Sequence, residues 1–167
     1  MNVGGYQRAD QGQLLFGTHA LAKFDRFRQT GFLRREAGGV LLGRHLISSP
    51  DLIVDDVTTP QWSDRRTRRS FFRSFAHHEI ALRRWRESGH TCAYLGLWHT
   101  HPEPDPVASH VDLIDWRDAI ERHQFEGDTH FFVIVGQRTT RVWQGWRDAC
   151  RGLALLSPTE SMSVSSL

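Results

Sequence analysis

A chain of 167 residues, 39% hydrophobic and 24% charged, has the size and composition of one folded domain that buries a core, and is neither a disordered nor a fibrous protein. Its longest strongly apolar run, Phe131 to Val135, is much too short to cross a bilayer, and the start MNVGGYQRADQG has no apolar signal core, so a cytoplasmic location is expected. The two cysteines, Cys92 and Cys150, are far apart and lack a CxxC partner, which excludes a disulfide framework or a cysteine-rich zinc site and predicts buried, reduced thiols.

After a polar, glycine-containing start, Gln13 to Phe16 reads as a short strand. Thr18 then N-caps a helix that carries Ala20, Leu21, Phe24 and Phe27 at helical spacing and ends at Gly31. Gly39 to Ile47 and Leu52 to Thr58 flank the turn residues Ser48-Ser49-Pro50-Asp51 and predict a hairpin, with Glu36 just ahead of its first strand. From Thr59 to Phe75 arginines and aromatics follow no period of 2 or 3.6, which predicts an extended loop. Ala76 to Glu87 reads as a helix, Thr91 to His99 as a buried strand, and Ser109 to Gln124 as a helix. Thr129 to Val135 and Thr139 to Trp143 suggest a second hairpin, and the chain ends in a serine-rich stretch read as a flexible tail over residues 157–167, after a single domain over 1–156. Strands alternating with about three helices make an α/β domain, without a repeat of solenoid length.

The chemistry concentrates in His99-Thr100-His101-Pro102-Glu103-Pro104-Asp105-Pro106-Val107-Ala108-Ser109-His110-Val111-Asp112, which spells H-x-H-x7-S-x2-D. At a strand end, alternation puts His99 and His101 on one face, where two imidazoles can share a metal. The three prolines stop both helix and strand, so the chain turns before Ser109 opens a helix whose first turn returns Asp112 toward the histidines. Two nitrogens and a carboxylate are a catalytic zinc set with a fourth position for water.

Together with Glu36-Ala37-Gly38-Gly39-Val40-Leu41-Leu42-Gly43, the stretches Trp98-His99-Thr100-His101-Pro102 and Ser109-His110-Val111-Asp112 resemble the JAMM motif of the MPN/JAB metalloprotease family. The resemblance implies a single MPN/JAB-like, cytidine-deaminase-like domain with a curved mixed sheet. It also implies Glu36 as general base, Zn2+ on His99, His101 and Asp112, and Ser109 as the donor that steadies a tetrahedral oxyanion. Among bacterial members the chain is most similar to the isopeptidases of CBASS antiphage operons. These resemble deubiquitinases and release a protein conjugated at the C-terminus of the operon's nucleotidyltransferase (the CD-NTase), reversing a reaction of E1/E2-like enzymes. The short span between Asp112 and Gly127 leaves little room for the second insertion with which eukaryotic members grip ubiquitin.

Two other functions stay open: a peptidase that processes or deconjugates a bacterial ubiquitin-like or sulfur-carrier protein, and a non-catalytic scaffold or basic nucleic-acid-binding module. Arg65, Arg66, Arg68, Arg69 and Arg73, with Phe71, Phe72 and Phe75, form either a solvated basic surface or a contact for an acidic partner or substrate, with nucleic acid the least favoured. His77, His78, His110, His123 and His130 read as structural histidines, and Tyr94 and Trp98 as packing.

Overall fold

The computed structural model describes residues 4–122, 127–148 and 150–159. In chain order the elements are β1 Gly4–Gln7, β2 Gln13–Phe16, α1 Thr18–Phe27, β3 Gly38–His45, β4 Leu52–Val57, β5 Arg65–Arg66 and β6 Phe71–Phe72. They continue with α2 Ala76–Glu87, β7 Ala93–Thr100, α3 His110–Arg122, β8 Thr129–Val135, β9 Thr140–Trp146, β10 Leu153–Leu155 and β11 Ser157–Pro158. Nine strands form one mixed sheet in the order β10-β9-β8-β7-β3-β4-β2-β1-β11, parallel at β7/β8 and β2/β4 and antiparallel elsewhere. The expected curved α/β domain is what the chain adopts.

The curvature follows from the last strands. β10 pairs with β9 at one edge and β11 with β1 at the other, yet only Leu156 separates them in the chain. The two edges must therefore approach each other. Tyr6 of β1 donates its hydroxyl to the Thr140 carbonyl of β9 at 2.8 Å, and the Ala9 amide reaches the Gln144 side chain at 2.8 Å, across the gap. Closure of this kind covers edges that otherwise invite pairing with other chains.

Strand alternation divides the apolar residues between two cores. Phe131, Val133 and Val135 of β8 join Leu14, Phe16, Leu41 and Trp98 under α1, which contributes Ala20 and Phe24. Phe132 and Ile134 face the opposite side with Val40, Leu42 and Leu97, against Ala81 of α2 and Trp116 of α3. A bulge in β7 shifts the alternation: Leu41 pairs with Gly96 but Leu42 with Tyr94, leaving Leu95 as the extra residue. Leu95 consequently packs with Trp98 rather than with Leu97. Gly96 permits this with a φ of 146°, and a side chain there would meet the Phe131 carbonyl oxygen at 1.8 Å.

Several expectations need correction. α1 is preceded by Gly17 without a side-chain cap, not capped by Thr18, and it ends at Phe27, not Gly31, because Arg28 already leaves helical geometry. The 59–75 loop carries the β5/β6 hairpin, and β9 extends to Trp146. β1 and β10 were not foreseen. Ser157–Pro158, assigned to the tail, is held on β1, while residues 160–167 lie outside the described residues, as do Gln124 at the expected end of α3 and His123. Cys150 is exposed and Cys92 half-buried, so neither is a core thiol. Trp98 is fully buried against Phe24, as expected. No described helix is long and apolar enough to cross a membrane.

Candidate functional site

β7 ends at Thr100, which places His99 on one face of the sheet and Thr100 on the other before the chain turns at His101. His99 Nε2 lies 3.0 Å from His101 Nε2. Asp112 closes the group, with Oδ1 3.0 Å from His99 Nε2 and Oδ2 3.3 Å from His101 Nε2. Among the described residues this is the one group of three such side chains able to hold a metal ion. Both histidines are buried, at 7% exposure each.

Asp112 reaches this point through the start of α3. Its amide donates to Ser109 Oγ at 3.1 Å, while the Ser109 amide and hydroxyl both donate to Asp112 Oδ2 at 2.7 Å. This reciprocal pairing is a capping box with aspartate at its third position. It turns the carboxylate back toward the histidines and spends the Ser109 hydroxyl proton on Asp112.

The donor set fits zinc. Without a cation between them, two imidazole nitrogens and a carboxylate would crowd lone pairs together, relieved only by a shared proton. Tetrahedral zinc with ligand bonds of about 2.0–2.2 Å spaces its ligand atoms about 3.3–3.6 Å apart, slightly wider than the present triangle. His101 Nδ1 is buried without a hydrogen bond, 3.7 Å from a Glu103 carboxylate oxygen. A histidine that ligates through Nε2 ordinarily offers its other nitrogen to such a carboxylate.

Glu36 lines the same cavity, of about 590 Å³, and is 5% exposed. Burial pushes its carboxyl up to about 8, helped by the Asp112 and Glu103 charges and opposed by His101. Burial also disfavours ionised Asp112, but the hydrogen bonds from His101 and His99 outweigh it and hold Asp112 far below the usual carboxylate range. Burial lowers His99 despite Asp112; at His101 the bond and charge of Asp112 overcome burial and raise the imidazole.

The arginine block separates into distinct roles. Arg66 Nε donates to the Glu36 carbonyl at 2.6 Å, and the Glu36 amide donates to the Thr67 carbonyl at 2.8 Å. Arg68 bonds the Phe32 carbonyl and lies over the Phe32 ring, and Arg65 lies 5.2 Å over Phe72. Arg73 Nη2 donates to both carboxylate oxygens of Asp115 of α3, at 2.9 and 2.8 Å. Arg69, Phe71 and Phe72 line the cavity; Arg65, Arg66 and Arg68 do not. Part of the block is thus a brace for the loop and not a free basic surface.

Sequence reasoning missed the brace behind the site. Thr100 accepts the Ala37 amide at 2.9 Å, donates its own amide to the Ala37 carbonyl at 2.8 Å, and gives its hydroxyl to buried Gln29 at 2.9 Å. The signal available was the alternation itself, which turns the residue between two ligands to the opposite face. Gln29, 71 positions away from Thr100, had no such signal.

A family described as prokaryotic homologs of the JAB domain matches residues 21–148. A Pseudomonas aeruginosa protein named CD-NTase/cGAS isopeptidase is 36% identical over 132 residues, covering 77% of this chain and 82% of that relative. A Vibrio cholerae protein of the same name is 31% identical over 131 residues, covering 78% and 79%. Among solved structures, the solution structure of protein DSY2949 from Desulfitobacterium hafniense is similar in fold, with a TM-score of 0.58 at 19% identity over 84% of this chain and 87% of that one.

Proposed function

Because the chain belongs to the family of prokaryotic JAB-domain homologues, we propose that it is a zinc-dependent isopeptidase that releases a protein conjugated through its extended C-terminal tail. The observation that carries this reading is the convergence of His99, His101 and Asp112 within 4.8 Å of one another, in a cavity also lined by Glu36. The relatives' name, CD-NTase/cGAS isopeptidase, supports a CD-NTase conjugate as the substrate; that E1/E2-like enzymes make this conjugate in CBASS antiphage defence is part of the proposal.

His99, His101 and Asp112 would hold the zinc ion, which supplies electrophilic activation of the scissile carbonyl and of the attacking water. Glu36 accepts a proton from that water as its oxygen bonds to the carbonyl carbon. As the C–N bond breaks, Glu36 returns the proton to the departing lysine nitrogen, leaving a carboxylate on the tail and a free amine. Ser109 holds Asp112 in place; its proposed second role, as oxyanion donor, requires the hydroxyl to turn from Asp112 toward the substrate. Phe71, Phe72 and Arg69 on the cavity wall are the proposed tail contacts.

The test is to incubate the zinc-loaded chain with an isopeptide-linked CD-NTase conjugate and with an unprocessed ubiquitin-like precursor. Release from the conjugate, abolished by a chelator and by Glu36→Gln, is expected. Cleavage of the precursor alone points to the processing peptidase. An intact conjugate and precursor, with salt-sensitive DNA binding, overturn the hydrolase reading.

A further inference from the structure

We propose that His77, fastened between Thr58 and Asp64, is a positioning residue for Glu36: it fixes the 59–75 loop, whose Thr67 carbonyl and Arg66 guanidinium hold the backbone of that base. The inference rests on the proposed role of Glu36 for its catalytic consequence, but its geometry stands apart from the metal site.

Glu36 precedes β3, and both its backbone groups are held by the loop: the amide by Thr67 at 2.8 Å, the carbonyl by Arg66 at 2.6 Å. A base held this way is only as fixed as the loop. The loop in turn is closed on itself by Asp64, whose side chain is fully buried. Its Oδ2 accepts the Gln61 amide at 2.6 Å near the loop's start, and Oδ1 accepts the Ser74 amide at 2.8 Å and hydroxyl at 2.7 Å near its end.

His77, on the first turn of α2 and 1% exposed, joins this closure to the sheet. The Asp64 carboxylate can only accept, so His77 Nε2 carries the hydrogen of their 2.8 Å bond and Nδ1 is left as an acceptor. The Thr58 hydroxyl supplies that proton at 2.6 Å while its oxygen accepts the Val40 amide of β3 at 2.8 Å. Thr58 is bound on every side: its amide donates to the Val40 carbonyl at 3.0 Å, and its carbonyl accepts Trp98 Nε1 at 2.8 Å, next to His99. Every polar atom of the relay has a partner, which is the condition under which a buried polar network rigidifies its surroundings. Burial keeps His77 toward its neutral form, the state this pattern requires, against the pull of Asp64.

The ring has a second contact. Phe71 of β6 meets the His77 ring edge-on at 6.1 Å and lines the cavity. A side chain on Gly38 would lie 2.6 Å from Phe71, so the ring sits tight against the strand that follows Glu36.

The experiment compares the zinc-loaded wild type with His77→Phe, which keeps a ring against Phe71 but removes both ring hydrogen bonds, and with His77→Gln, which restores a donor toward Asp64. Hydrogen exchange of the Glu36 amide is read by NMR beside that of Leu41 in the centre of β3. In His77→Phe the Glu36 amide should exchange at least about tenfold faster with Leu41 unchanged, as expected for selective loss of a local hydrogen bond. Turnover of the conjugate should fall through kcat, with KM within about twofold and zinc still one per chain. His77→Gln should recover most of both. Ser74→Ala, which deletes one donor to Asp64, makes the same comparison should His77→Phe not fold. Unchanged Glu36 exchange, or acceleration of Glu36 and Leu41 together, overturns the proposal. The exchange measurement needs no turnover, so an inert wild type would count against the isopeptidase and leave the positioning claim testable.

Discussion

Around Glu36 nearly everything opposes ionisation: burial first, then the charges of Asp112 and Glu103, with only His101 pulling the other way. An acid raised to about 8 in the folded chain has stability that is fully present below its unfolded value of 4.5 and lost as pH rises toward 8. Glu36→Gln removes that loss while keeping size and hydrogen-bonding shape. In metal-free protein at pH 8, the variant should therefore be more stable than wild type by about 1–3 kcal/mol, read by urea unfolding, with the gap closing toward pH 4.5. Turnover by the zinc-loaded variant should fall by about 10²–10⁴-fold with zinc still one per chain. Equal stability of the two proteins at pH 8 would contradict the burial of an ionisable base; unchanged kcat would remove Glu36 from the reaction.

A single helix start does two tasks at α3. Ser109 satisfies orphan donors of the first turn and, through the same atoms, aims Asp112 at the histidines. Ser109→Ala should lower stability by about 1 kcal/mol, the usual cost of a lost cap. It should also weaken zinc binding by about 10–100-fold, as loss of a partner that orients a ligand does. Thermal melts of metal-free protein and competition with a chromophoric chelator separate the two effects. A stability loss without any change in zinc affinity would show that the box serves the helix alone.

The same pairing explains what could be read from the sequence. His99, His101, Ser109 and Asp112 are legible because their spacing is local: strand alternation, a proline-enforced turn and one helical turn fix them without distant information. α2 and β8 are legible from local signals too: the first is stopped by Ser88-Gly89, and the second is a short apolar run ended by the turn residues Gly136-Gln137-Arg138. β1, β10 and the strands of the β5/β6 hairpin are two to four residues long, too short to show a period, and are defined only by their pairing: β1 with β2 and distant β11, β10 with β9, and β5 with β6. The clamp on Glu36 was invisible because Arg66 lies 30 positions from it, and composition suggested only a charged surface.

At the scale of the whole molecule, the relay that fastens the 59–75 loop also sets how the fold responds to acid. Burial favours neutral His77, so its folded value lies below the ordinary 6.5 despite Asp64. The stability this confers is present above 6.5 and declines as pH falls below it, because the unfolded chain then takes up a proton the folded chain resists. Asp64 adds a second limb. Burial alone would raise it, but the hydrogen bonds from His77, Gln61 and Ser74 leave it lower than its ordinary 3.8, so its contribution is lost only in stronger acid. The metal-site groups also titrate in metal-free protein, and with mixed signs: His99 and Asp112 are lowered and His101 is raised. Comparing wild type with His77→Gln cancels them, because both proteins share those groups. The variant should be less stable at pH 7.5, having lost the Thr58 bond. From pH 6.5 downward its stability should fall less steeply, by as much as about 1.4 kcal/mol per pH unit, the slope of one proton. Urea unfolding of both proteins at half-unit intervals from pH 7.5 to 5 reads the difference. Parallel curves would mean that His77 takes up its proton as readily in the folded chain as in the unfolded one, and that the relay is not the closed, neutral network its distances describe.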